Sequence, residues 1–240
     1  MAGHSHAANI KHRKSAKDIK KGSNFAKLAK RIASTARFNP DPNSNPSLRV
    51  AISEAKRACV PKNTIENAIN SSLNKDTNAL ESIRYNISMG TALFVIETLT
   101  DNRNRSASSI RLTAAKLNCN LTETGAVEFA FDHLGAIVYL ADICAEDDIL
   151  LLATELDCVD FEHKSGFYIL YVNKKNLHSV YEKVSQKYSD SVFIDLIWKP
   201  KNIIEVDQET KEKVEKLICT LKNIPDVQDV FVNIERDVEF

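Results

Sequence analysis

Lys11, His12, Arg13, Lys14, Lys17, Lys20, Lys21, Lys27, Lys30 and Arg31 crowd the start of the chain, and Asp18 is the only acid among them before Asp41. The commonplace account of such a run is a solvated face. Against it, cations without counter-acids repel one another unless an anion is brought to them, and phosphates neutralised by Lys and Arg release condensed counterions. Nucleic acid is therefore the expected partner of all ten residues. No aromatic side chain stands between residues 1 and 24 to stack on bases, so the contacts are expected at phosphates and tolerant of sequence.

A second anion-seeking group is Thr100-Asp101-Asn102-Arg103-Asn104-Arg105-Ser106, which follows an apolar run and opens a helical pattern. Free backbone donors at a helix N-terminus attract anions, and Arg103, Arg105 and Arg111 add charge around that point. Asn104 or Ser106 is expected to cap the helix. Capping does not explain arginines at a positive helix end, which calls for a bound anion or a nearby acid such as Asp101.

Enzymatic constellations are weak by comparison. His4, His6 and His12 lack neighbouring carboxylates or cysteines, while Asp132-His133 and Asp147-Asp148 are adjacent pairs whose side chains diverge on a strand or helix. No Ser/His/Asp or Cys/His set is marked. If Met1 is removed, Ala2-Gly3-His4 forms a square-planar Cu(II)/Ni(II) chelate, which such a terminus does adventitiously. Cysteines at 59, 119, 144, 158 and 219 form no CxxC pair, against a zinc site or a disulfide framework. The expectation is a protein without catalysis, cofactor, metal or small-molecule substrate. Its rivals are a nuclease or hydrolase using a metal on Asp132, Asp147 or Asp148, and a protein-only adaptor.

Several elements must position these groups. The 240 residues carry a net charge of zero, yet residues 1–78 hold 15 Lys/Arg against 5 Asp/Glu, and residues 79–240 hold 17 against 27. A basic head on an acidic body results. No stretch approaches the roughly 20 apolar residues of a membrane span, no secretory h-region opens the chain, and the odd, CxxC-free set of cysteines points to a reducing compartment: the cytoplasm in a bacterium, the mitochondrial matrix in a eukaryote. Six glycines are too few for a phosphate-cradling loop.

Residues 1–24 read as a basic arm too polar to fold alone. Phe25, Leu28, Ala29, Ile32 and Ala36 make one helical stripe; Leu48, Ala51, Ile52, Ala55 and Cys59 a second; Ile65, Ala68 and Ile69, after Pro61, a third. Prolines 40, 42 and 46 separate the first two. Residues 25–78 thus form a three-helix bundle, with the linker at Asn70–Ala79. Beyond residue 80 the period changes to two: Ile83/Tyr85/Ile87, the run Ala92–Leu99, and Val127/Phe129/Phe131 read as strands. From Ala136 to Trp198 the order βαββαβ is ferredoxin-like. The leftover strand at Val227–Val232 and helix Gln208–Leu221 complete the earlier sheet. The expected class is α+β: a helical domain, a discontinuous α/β domain of residues 79–134 plus 200–240, and a ferredoxin-like domain of residues 135–199 inserted into it.

Met1-Ala2-Gly3-His4-Ser5 with Ala8-Asn9-Ile10-Lys11-His12-Arg13-Lys14, then Pro61-Lys62, Thr100-Asp101-Asn102 with Asn104-Arg105, and Asp226-Val227-Gln228 resemble the YebC/PmpR family over nearly the whole chain. That family includes the mitochondrial translational activator of cytochrome c oxidase subunit one. The resemblance implies a helical domain and two α/β domains, one inside the other. It also implies a regulator of gene expression, acting on ribosomal RNA at the ribosome or as a DNA-binding transcription factor. Two departures concern glycines: the family's glycine-rich turn is Asn86-Ile87-Ser88-Met89-Gly90 here, and its Gly-Gly is Asn118-Cys119. The family's Lys-Trp is His6-Ala7. The basic surface carries over, and the glycine-rich segments do not.

Overall fold

The structure, a computed structural model, describes residues 21–73, 80–123 and 125–236. Helix α1 occupies residues 21–36, so the first helix is already formed four residues before the expected start at Phe25. Its stripe buries Leu28, Ile32 and Ala36 against Leu48, Ala51 and Ala55 of α2 (Pro46–Arg57) and Ile65 and Ala68 of α3 (Lys62–Leu73). Asn45 closes the start of α2 by accepting the Leu48 amide at 3.1 Å, beside a proline in the first turn where no amide is missed.

The first sheet begins with the hairpin β1 (Glu81–Met89) and β2 (Ala92–Thr100), continues through α4 (Arg103–Lys116), and adds the short β3 (Asn120–Thr122). The chain then builds β4 (Phe131–Leu140), α5 (Glu146–Glu155), β5 (Asp160–Lys164), β6 (Phe167–Asn173), α6 (Leu177–Tyr188) and β7 (Phe193–Pro200) before returning through α7 (Gln208–Lys222) to β8 (Val227–Val232). Two antiparallel four-stranded sheets result, in the orders β3-β1-β2-β8 and β5-β6-β4-β7. The second is ferredoxin-like and is inserted between β3 and α7. Helices α4 and α7 cover the first sheet, with Phe94, Ile96, Ile110 and Leu217 fully buried. Each such side chain stabilises the fold by about 1.5–3 kcal/mol. The second core gathers Ile137, Tyr139, Ile149, Leu170 and Tyr181, and Val50 of α2 joins it. No helix among the described residues is long and apolar enough to cross a membrane.

Two expectations fail locally. Val127/Phe129/Phe131 is not a strand: Glu128–Ala130 is a single 3-10 turn, Phe129 is 71% exposed, and only Phe131 enters a strand, β4. The turn carries the chain from one sheet to the other while Val127 and Phe131 still share a cluster with Val95 and Trp198. The other is β3, invisible in the sequence because three residues on a sheet edge show no alternation.

One of the positions at which the resemblance implies glycine has a structural explanation. Asn118 has φ 53°, and the end of α4 closes with Cys119 N–H donating to the Ala114 carbonyl at 2.9 Å and Asn118 N–H to the Ala115 carbonyl at 3.2 Å. This Schellman arrangement needs a left-handed residue, for which Asn is the tolerated substitute for glycine. Cys59 and Asp157, with φ 60° and 52°, end α2 and α5 the same way.

Candidate functional site

The residues that carry the family resemblance in the body converge. Asp226, 4% exposed in the turn before β8, is the centre. It accepts from Arg105 Nε at 3.2 Å and Nη2 at 3.1 Å, from Ser106 Oγ at 2.7 Å, and from the Lys30 ammonium of α1. Its carbonyl takes the Leu99 amide at 2.8 Å, and Lys30 also donates to the Leu99 carbonyl at 3.3 Å. The hydroxyls of Ser106 and Thr100 lie 2.8 Å apart. Burial works against the Asp226 carboxylate, but hydrogen bonds from Lys30, Ser106 and Arg105 outweigh it and hold its pKa below the usual aspartate range.

Asn102, rather than Asn104 or Ser106, caps α4, accepting the Arg105 amide at 3.0 Å. The puzzle of arginines at a positive helix end resolves within the chain: Arg105 also donates to Asp101 at 2.5 Å, so two carboxylates surround it. The acid at Asp101 was visible as a neighbour. Asp226 lies 121 residues away, and its only local signal is a lone carboxylate between Pro225 and Val227 at the mouth of a buried strand.

The cations of α1 divide in the same manner. Lys27 donates to the Lys222 carbonyl, and burial pushes its pKa down to about 8 against the pull of Asp229. Arg31 grips Asp195 of β7, lies 3.6 Å from Glu54, and covers the Phe193 ring at 5.4 Å. Burial opposes its charge, yet Asp195, Asp229 and Glu54 raise its pKa above the usual value. With Arg49 bonded to Asp190 at 3.1 Å and Arg57 to the Val192 carbonyl at 2.9 Å, the helical unit is fastened to both α/β units. Lys27, Lys30 and Arg31 thus face inward, and Arg105, half exposed at its side chain, lies over Asp226. Arg103, 72% exposed at its side chain and 3.5 Å from Glu81, faces outward, as does Arg111, which pairs with no described residue. Lys21 is exposed and lies 5.4 Å from the Phe25 ring centroid. Lys11, His12, Arg13, Lys14, Lys17 and Lys20 lie outside the described residues.

Inside this clasp is a cleft of about 510 Å³, walled by α1, β1, β2, β8 and the inserted unit. Trp198 lies beneath it, 5% exposed, stacked on its cross-strand partner His133 at 4.3 Å and 5° and covered by Arg84 at 4.9 Å. Its indole N–H donates to Glu97 Oε1 at 2.9 Å. Burial, and after it Asp195 and Asp229, raise the Glu97 pKa although the indole bond lowers it.

Among the described residues no three His, Cys, Asp or Glu side chains gather as metal ligands. Asp132 lies 3.7 Å from Lys201, and Asp147 and Asp148 stand in the first turn of α5, where carboxylates complement the helix dipole.

Comparison with known proteins gives concordant matches. A family model described as TACO1/YebC protein N-terminal domain matches residues 5–75, and one described as TACO1/YebC second and third domain matches residues 80–234. The name of the latter model denotes transcriptional regulators. The crystal structure of a conserved hypothetical protein from Aquifex aeolicus superposes with a TM-score of 0.80 at 31% identity, over 92% of each chain.

Proposed function

The chain belongs to the TACO1/YebC family, and from that membership we propose that it is a non-enzymatic regulator of gene expression that binds ribosomal RNA and acts at the ribosome as a translational activator. The observation that carries the RNA reading over a DNA-bound repressor or activator is the state of the helical unit. Reading a major groove calls for a helix free to enter it with several cations or amides aimed at base edges. Here α1 and α2 are fastened to the body through Asp226, Asp195 and Asp190. The exposed side of α3 offers Lys62 and Glu66, 3.5 Å apart, with Asn63, Asn67 and Asn70, so it carries no cation excess.

Phosphate attraction then falls to Lys11–Lys21 and to Arg103 and Arg111. The acidic body, with 27 Asp/Glu against 17 Lys/Arg in residues 79–240, complements basic ribosomal proteins. Binding of duplex DNA should discriminate poorly among sequences. Competition between labelled duplex and unlabelled specific or scrambled duplexes is expected to give affinities within about tenfold, against the 10³-fold or greater preference of dedicated regulators. A thousandfold preference for one site would support the transcriptional alternative.

A further inference from the structure

We propose that the cleft between the three units receives one unpaired guanine nucleotide of a single-stranded nucleic acid. The inference rests on the nucleic-acid reading above and names the chemistry of a site within it.

The floor of the cleft is built by an irregularity in β8. Glu97 of β2 stands opposite Asp229, while the next residue, Thr98, stands opposite Val227, so Gln228 is an extra residue bulged out of the ladder. A bulge re-aims side chains, and here it lets both Gln228 and Asp229 line the cleft. Glu97 and Asp229 are therefore carboxylates directly opposite each other on paired strands, an arrangement that costs stability unless donors are supplied. Glu97 uses one oxygen for Trp198; Asp229 forms no hydrogen bond or ion pair with any described residue, and its charge acts at longer range on Arg31 and Lys27. Gln228 Nε2 is buried with no acceptor. The floor asks for a ligand edge with adjacent donors.

The rim is of another kind. Phe38, just after α1, is 91% exposed, an aromatic face that no described residue covers. Lys174 and His178, exposed on the inserted unit, line the same cleft and bond no described residue. An exposed ring offers a stacking platform for a splayed-out base, and cations above an acidic floor suit a group negative at one end and rich in donors at the other. Guanine alone among the common bases presents two neighbouring donors, N1–H and N2–H₂, with an acceptor, O6, on one edge. The donors match Glu97 and Asp229, the ring matches Phe38, and the 5′-phosphate matches Lys174 and His178.

Calorimetric titration of the full chain with GMP, AMP, CMP and UMP tests this, with binding of a mixed-sequence RNA measured in parallel and the emission of Trp198, the single tryptophan, followed as a local reporter. GMP is expected to saturate at one site at least tenfold more tightly than the other three. Phe38→Ala should weaken GMP by roughly tenfold, the value of one stacked base, and Asp229→Asn by a similar factor. Phe38 is on the surface of the cleft, so the melting temperature of Phe38→Ala should stay unchanged. A single-stranded oligonucleotide with one guanosine should bind more tightly than GMP if the ligand is a strand, and no more tightly if it is a free nucleotide. Absence of GMP binding while RNA still binds would overturn the cleft assignment and leave the nucleic-acid reading standing. Absence of both would overturn both. Equal affinity for all four nucleotides, or GMP affinity indifferent to Phe38→Ala and Asp229→Asn, would also overturn it.

Discussion

Asp226→Ala should lower the free energy of unfolding by about 3 kcal/mol, the loss expected when one partner of a largely buried ionic cluster is removed. The carboxylate is 5% exposed at its side chain, and its removal strands Lys30, 21% exposed, together with Arg105 and Ser106. Arg105→Ala should cost less, about 1 kcal/mol, because half of that side chain is already in solvent. Since the two residues touch, their effects should fail to add by about 1 kcal/mol in a double-mutant cycle. Denaturant midpoints measure all three variants.

The pH dependence follows from the lowered pKa of Asp226. A carboxylate whose pKa is depressed in the folded state contributes stability that is fully present above the unfolded value, about 3.9, and is lost as pH falls through the lower native value. Wild-type stability should therefore drop more steeply below about pH 4 than that of Asp226→Asn, which has no proton to gain. Parallel curves would place the acid sensitivity elsewhere.

Deleting residues 1–20 should have the largest effect on binding. The segment holds Lys11, Arg13, Lys14, Lys17 and Lys20 against Asp18. If each of these cations meets one phosphate, the log–log dependence of affinity on salt should become shallower by roughly 4, and affinity at 0.1 M salt should fall at least about a hundredfold. The fold should persist, because Lys30, Arg31, Arg49 and Arg57 fasten the helical unit to the body. Filter binding across a salt series and thermal melting read the two quantities. An unchanged slope would move the phosphate contacts to Arg103, Arg111 and the body.

The parts of this architecture that rest on local patterning were legible in the residues. Leu28, Ile32 and Ala36 announced α1, and Val227–Val232 is a strand over the residues expected of it. The order of strands and helices between residues 136 and 198 revealed the inserted unit because each element carries its own period. What stayed hidden depends on long-range pairing. That Arg105 and Lys30 face Asp226, and Arg31 faces Asp195, follows only once three units are docked, and no spacing along the chain records it. A lysine on the polar side of a helical stripe looks the same whether it faces solvent or a second domain. The bulge at Gln228 was equally silent, since one extra residue in a strand leaves the pattern of Val227, Val230 and Val232 readable as simple packing.

The central claim is tested most directly by pelleting the protein with ribosomes through a sucrose cushion across a salt series, with and without excess duplex DNA. The account predicts association that weakens with salt, is lost on deletion of residues 1–20, and resists duplex competitor, because a ribosome presents fixed phosphates together with basic protein surfaces for the acidic body. Failure to pellet with ribosomes, accompanied by tight binding to one duplex sequence that scrambled competitor does not displace, would contradict it.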